Sequence, residues 1–409
     1  MQLIRNLYIR ANIGIALSVV GVPLGMYFNY FFPQIRWAPV FMVLSILFVI
    51  DIRKISDIRN WRMPQIGRIL LFFQLLMIIY GWISENLTAQ YMSFHLFIII
   101  MIIAFSSLKK FTLGRSTILY ISLISSFCSL LGAVTLYNGL VVGDDAWQLR
   151  QDNEDYALES FTVAWGCLIN FASTIFFLSN KKIKQSLIAL FFIFLDLYVI
   201  LYTSKRTPLV VLILMLVIFL YNKKAVRFNE IFKALLISIS VGMLLYLNFS
   251  QVELKVDTFI KDFYYGVLNI LGDQSISDSS GSGIARYNFR VWTYDYIHNN
   301  FAFFNYIFGA GYMTMWIDNP VLQSYLDMGI LGIFLYILIV LLYPLSKLKS
   351  GKMGGDMGLF CTMLCIHGIV SAFSSGNPYI YVKYLPVVLL MYSICNNKFA
   401  KHKNIKLRS

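Results

Sequence analysis

Apolar positions in this chain run in long unbroken stretches, and the polar positions collect in the gaps between them. Twelve apolar stretches are legible, at about 12–31, 37–50, 67–84, 91–108, 116–142, 161–179, 185–203, 207–222, 231–249, 320–343, 357–374 and 378–395. Most approach the roughly 17–25 residues a helix needs to cross a bilayer core of about 30 Å. The runs are continuously apolar rather than alternating, which excludes a β-barrel. Inside lipid the backbone must then satisfy itself within helices. The expected fold is an all-α polytopic membrane protein of about twelve transmembrane helices, a single membrane-embedded domain over residues 1–409. No internal repeat of fixed period is present. The N-terminus leads straight into a full-length span, so no cleavable signal is expected.

Two gaps are longer than a turn. Residues 143–160 form an acidic stretch with Asp144, Asp145, Asp152, Glu154, Asp155 and Glu159, which reads as a solvated loop. Residues 250–318 form the one long interruption and are expected to be a large extracytoplasmic loop carrying short helices. In its second half Phe289, Trp292 and Tyr296 share one helical face, and Arg286 and Arg290 share another. Its first half reads more weakly, with Gly, Ser and Asp punctuation from Gly272 to Gly283.

Charge orients the segments. With the N-terminus in the cytoplasm and the spans alternating, 25 of the 34 basic residues fall on the cytoplasmic side, and both termini lie there. This is the bias expected of inner loops. The remaining nine lie at or near the outer surface: Arg36, Arg150, Lys205, Arg206, Lys255, Lys261, Arg286, Arg290 and Lys383. Basic residues on the disfavoured side form a short list for an anion site.

Composition adds constraints. With 58% hydrophobic and 13% charged residues, the formal net charge of +14 reads as cytoplasmic loop charge rather than as a nucleic-acid surface. The five cysteines, Cys128, Cys167, Cys361, Cys365 and Cys395, all fall in apolar segments. No His/Cys cluster has zinc spacing, and no metal or cofactor is expected.

A few residues stand out chemically. Arg286 and Arg290, at i and i+4, repel mildly unless an anion sits between them. The guanidinium fork suits a pyrophosphate. Lys205-Arg206 lies in a short connection at the outer boundary. Asp318-Asn319-Pro320 opens the next span: Asn319 is an N-cap and Pro320 fits the first turn. Asp318 then stands beside a positive helix end. Asp196 and Lys383 are ionisable groups inside apolar segments, where such groups face the bundle interior.

Together these residues resemble a family. Ser204-Lys-Arg206-Thr-Pro opens an apolar span. Arg290-Val-Trp292 follows, then Ile307-Phe-Gly309-Ala-Gly311. Asp318-Asn-Pro-Val-Leu-Gln-Ser-Tyr-Leu-Asp-Met-Gly329-Ile-Leu-Gly332 completes the series. Their order over residues 200–335, with the multi-span layout, resembles the bacterial O-antigen and capsule polymerases and the related O-antigen ligases. The resemblance implies a metal-independent, GT-C-like membrane glycosyltransferase of the bacterial cytoplasmic membrane. Its substrate would be an undecaprenyl-diphosphate-linked oligosaccharide on the outer face, with a polysaccharide chain-length regulator as a further partner. Arg206 and Arg290 match the motif arginines. Arg286, Lys205, Lys383, Trp292 and Asn319 are the expected substrate-binding residues.

Ligases carry His-Asn before a Gly-x-x-Gly at this spacing. Here Asp318-Asn319 precedes Gly329 and Gly332, and Asp in place of His favours a polymerase. His298-Asn299, with Gly309 and Tyr312, has the same spacing but opens no span. Asp318 is the first candidate for the base and His298 the second. An O-antigen ligase, a lipid-linked oligosaccharide flippase and a membrane O-acetyltransferase are the alternatives.

Overall fold

The computed structural model describes residues 2–50, 63–107, 113–137, 141–142, 158–178, 183–203, 206–222, 240, 243, 247–248, 250–273, 275, 282–351, 355–374 and 376–406. The described chain is helical apart from a two-residue parallel ladder, β1 (Val141–Val142) with β2 (Leu158–Glu159). In chain order the helices are α1 (Gln2–Phe31), α2 (Trp37–Val49), α3 (Gln65–Ile83), α4 (Ala89–Ser107) and α5 (Arg115–Tyr137). Next come α6 (Ser160–Thr174), α7 (Ile183–Tyr202), α8 (Arg206–Asn222), α9 (Ser250–Leu271), α10 (Ser282–Asn300) and α11 (Phe303–Phe308). The last four are α12 (Pro320–Tyr336), α13 (Tyr343–Ser350), α14 (Asp356–Ser374) and α15 (Leu385–Lys406).

Eight helices among the described residues are long and apolar enough to cross a membrane, and three shorter apolar helices accompany them. The shorter ones are Trp37–Val49, Arg206–Asn222 and Tyr381–Cys395. The apolar segment read at 231–249 and the acidic stretch at 143–157 lie outside the described residues.

The long interruption differs from expectation. Residues 250–318 do not carry short helices alone: α9 is 22 residues long and α10 is 19. The first half, read as weak, is the helical Ser250–Leu271. Its apolar positions Val252, Val256, Ile260, Phe263 and Val267 recur at three- and four-residue spacing, which specifies a helix with one apolar side.

The helices pack as two compact units. One contains residues Met1–Ser18, Met42–Ile118 and Asn288–Ser409; the other contains Val19–Phe41 and Leu119–Tyr287. Each unit is built around a helix that is buried on every side. In the first that helix is α14, where Met357 to Gly368 are all buried, and it packs against α12 and α15. In the second it is α6, whose span is 89% buried, against 22% for the span in α7. A helix apolar all round belongs in the interior. Those that leave Leu187, Ile188, Phe191, Ile213 and Val217 exposed present the surface a bilayer covers.

Helix α12 continues through a π-helical stretch, Ile337–Leu342, into α13. Pro344 explains the widened turn. It has no N–H to donate, and its ring would collide with the carbonyl four residues earlier in a regular helix. A π-turn relieves that collision.

Candidate functional site

The candidate site in the first unit is built on a break in α12. At Gly329 the backbone leaves helical geometry (φ 62°, ψ −155°). The carbonyls of Leu326 and Asp327 are taken by another segment: Ala310 N–H donates to Leu326 O (2.8 Å) and Gly311 N–H to Asp327 O (3.1 Å). Backbone meets backbone here. A Cβ on Gly309 would lie 2.2 Å from the Asp327 carbonyl carbon, and one on Gly329 would lie 2.4 Å from that of Ile307. Both glycines also have positive φ, which side-chain-bearing residues rarely adopt. The two glycine motifs of the sequence are therefore the two halves of one interlock.

Beyond the interlock, residues 311–319 form a loop held on all sides. The Asp327 carboxylate accepts from Met313 N–H (3.1 Å), Thr314 N–H (3.2 Å), Gln323 Nε2 (2.8 Å) and the Tyr379 hydroxyl. Gln323 also accepts from Ile317 N–H (3.0 Å) and donates to Met315 O (2.7 Å). From the end of α3, Ser84 Oγ accepts from Tyr312 N–H (2.8 Å) and Asn86 Nδ2 donates to Tyr312 O (2.9 Å).

The Tyr312 ring is fully buried against Tyr379, centroids 4.1 Å apart, and its hydroxyl lies 3.1 Å from His95 Nε2. Burial, then the neighbouring Tyr91 and Asp327, push the Tyr312 pKa up, so the phenol stays protonated. It shares a hydrogen bond with His95, whose Nδ1 lies 2.8 Å from Gln74 Oε1. These partners were not singled out in the sequence. Asp327 and His95 carried the same signal as Asp196, a polar ionisable group within an apolar run.

The expected site residues of this unit occupy distinct places. Asp318, half-exposed at φ 56°, accepts a hydrogen bond from Gly376 N–H. Lys383 is fully buried, donates to Ser371 Oγ (2.9 Å) and lies within electrostatic reach of Asp318. The fold thus brings together two expected residues 65 positions apart in sequence. Asn319 caps α12, accepting from Leu322 N–H (3.1 Å) as expected, with Pro320 in the first turn. That cap occupies the side-chain oxygen of Asn319. On α10, Arg290 is half-buried, Trp292 stacks on Tyr296 (5.0 Å, 24°), and His298 is exposed in the last turn.

In the second unit Arg206 is the first residue of α8, and its Nη1 donates to Asp262 O (2.7 Å) on α9. The guanidinium fits because residue 266 is glycine: a Cβ there would lie 1.4 Å from Nη1. Arg286 is half-buried on α10. Lys205 lies outside the described residues.

Asp196, fully buried, accepts from Ser129 Oγ (2.5 Å) and Asn170 Nδ2 (2.9 Å). The Asn170 oxygen in turn accepts from Ser125 (3.1 Å), Ser126 (2.9 Å) and Thr174 (3.0 Å). This network ties α5, α6 and α7 together, as polar side chains do between membrane helices. The five cysteines are free thiols, four of them buried.

No family model matches the chain, and no curated protein matches it significantly.

Proposed function

We propose that this protein polymerises undecaprenyl-diphosphate-linked oligosaccharide repeats on the outer face of the bacterial cytoplasmic membrane, in a GT-C-like body of about twelve spans. The observation that carries this reading is the interlock of Gly309 and Gly311 with the α12 break, which fixes the loop that ends in Asp318. Two of the four motifs behind the family resemblance, Gly309-Ala-Gly311 and the stretch from Asp318 to Gly332, thus meet in one interlock.

In the proposed reaction a sugar hydroxyl of one lipid-linked repeat attacks the anomeric carbon of a lipid-linked chain. The bond from that carbon to the diphosphate oxygen breaks, undecaprenyl diphosphate leaves, and a single displacement inverts the anomeric centre. Asp318 takes the hydroxyl proton, with His298 as the alternative base. Arg290 stabilises the charge gathering on the leaving diphosphate, an effect of about 3–4 kcal/mol per well-placed donor in a water-excluded site; Arg206, the other motif arginine, belongs to the second unit. Lys383 adds positive charge toward the same anion.

A lipid-linked oligosaccharide flippase is the second reading, because interrupted spans also build transporter sites. One assay separates the two. Purified protein given lipid-linked repeats alone, with no nucleotide sugar, is expected to build a ladder of chain lengths. Asp318→Asn should slow it strongly, whereas Asn319→Asp, which preserves the cap, should not. A preparation that moves the repeats across vesicles without joining them overturns the polymerase reading. In cells, loss of the protein should leave core bearing one repeat and no ladder; a lost ligase would instead leave bare core.

A further inference from the structure

Five aromatic rings of the first unit follow one another over its surface. Trp292 stacks on Tyr296 (5.0 Å), Tyr296 meets Phe301 edge-on (6.3 Å), and Phe301 contacts Tyr306 (5.5 Å) and Tyr325 (6.3 Å). Four are half-buried and Tyr306 is 39% exposed. They differ from the rings expected to face lipid headgroups. Trp82, Phe303 and Phe304 are 80%, 73% and 71% exposed, as interfacial aromatics are. The row is bordered instead by polar exposed side chains, Asp295, His298, Asn299 and Asn300. Rings in mutual contact, part-exposed and flanked by hydrogen-bonding groups, suit neither an acyl chain nor an ion. The row also has a direction. Tyr325 lies on α12 five residues after its first residue Pro320, about 8 Å along the helix from the end that follows Asp318, whereas Trp292 lies at the far end.

We propose that the row Trp292–Tyr296–Phe301, ending on Tyr306 and Tyr325 together, is a binding track for an extended oligosaccharide chain. Sugar rings present C–H groups on their faces, and these pack against the negative face of an aromatic ring. The tyrosine hydroxyls and the bordering amides hold the sugar hydroxyls. The track rests on the polymerase reading and extends it: Tyr325 and Tyr306 meet the units next to the reacting one, and Tyr296 and Trp292 meet units further along. Every ring a chain reaches adds affinity, so longer chains are held longer and elongated further.

The test supplies purified protein with lipid-linked donors of one, two and four repeats and measures the rate of joining for each. Tyr325→Ala is expected to slow all three lengths. Trp292→Ala is expected to slow the four-repeat donor far more than the single repeat, and to remove the longest products of the ladder. Trp292→Phe and Tyr296→Phe keep a ring and should restore them, whereas Trp292→Leu, apolar without a ring, should not. Equal slowing at every length by Trp292→Ala, or full activity of Trp292→Leu, overturns the track, since packing alone then accounts for the residue. If the wild-type protein joins no repeats at all, the polymerase reading fails and the track fails with it. A wild-type ladder unchanged in the ring variants removes the track and leaves the polymerase reading standing.

Discussion

Four donors converge on the Asp327 carboxylate from the 313–314 turn, from Gln323 and from Tyr379, so removing it strands several buried groups at once. Each stranded donor costs about 1–3 kcal/mol. Asp327→Ala should therefore lower the thermal stability of the detergent-solubilised protein markedly and abolish polymer. Asp327→Asn, which keeps one acceptor oxygen, should lie between. Equal unfolding temperatures for wild type and Asp327→Ala would mean that the loop does not depend on this residue. Arg206 makes a second test. Gly266→Ala would drive its guanidinium off Asp262 O, so the variant should lose polymer much as Arg206→Ala does. The double variant should be no worse than either single one, because both remove the same contact. Full polymer in Gly266→Ala would mean that Arg206 works without its seat on α9. Of these residues, Asn319 and Pro320 were legible because capping is local chemistry. Gly266 was not, because its partner lies 60 positions earlier in sequence and only packing brings the two together.

Helices were the most legible elements, because continuous apolar runs admit no other structure in lipid. What a run cannot reveal is where a helix breaks. Residues 320–343 read as one uninterrupted span, yet α12 leaves helical geometry at Gly329 and widens before Pro344. The break depends on a partner outside the span, Ala310 and Gly311, whose N–H groups take the freed carbonyls. Gly329→Ala should be among the most damaging single-methyl changes in the protein. It places a side chain at positive φ, about 1–3 kcal/mol of strain, and drives a methyl group into the Ile307 backbone. Gly351→Ala is the control. It too has positive φ, but nothing lies within 4 Å of its added Cβ. Protein yield and unfolding temperature should fall much further for Gly329→Ala than for Gly351→Ala. Similar losses would mean that backbone conformation alone, and not the interlock, sets the cost. The amphipathic α9 gives the opposite lesson: its periodicity was present in the sequence, but the charged residues Glu253, Asp257, Lys261 and Asp262 mask it when apolar runs alone are sought.

At the scale of the whole molecule, the proposed alternation of twelve apolar segments predicts one orientation. Positive charge is retained in the cytoplasm during insertion, and 25 of the 34 basic residues fall on one side when the twelve apolar segments alternate. The first unit offers a direct check on that orientation. From Pro320 to Ser350 the chain is one apolar run of 31 residues, helical apart from the break at Gly329 and the widened turn before Pro344, and long enough to cross the bilayer. Its ends must then lie on opposite sides: the Asp318 loop and α11 on one, the Lys347–Lys349 turn on the other. Cysteines placed at Ala302 and Lys349, both exposed, should react differently with a membrane-impermeant maleimide. Ala302→Cys should label in intact spheroplasts, and Lys349→Cys only after the membrane is opened. The native thiols Cys128, Cys167, Cys361 and Cys365 are buried, so replacing Cys395 leaves a quiet background. Labelling of both positions in intact cells would place Asp318 and the basic turn on the same side. The span would then be misread, and the outward-facing reaction, which needs Asp318 outside, would be excluded with it. Labelling of Lys349→Cys alone would invert the molecule and put the candidate base in the cytoplasm, where an enzyme acting on already flipped lipid-linked sugars could not use it.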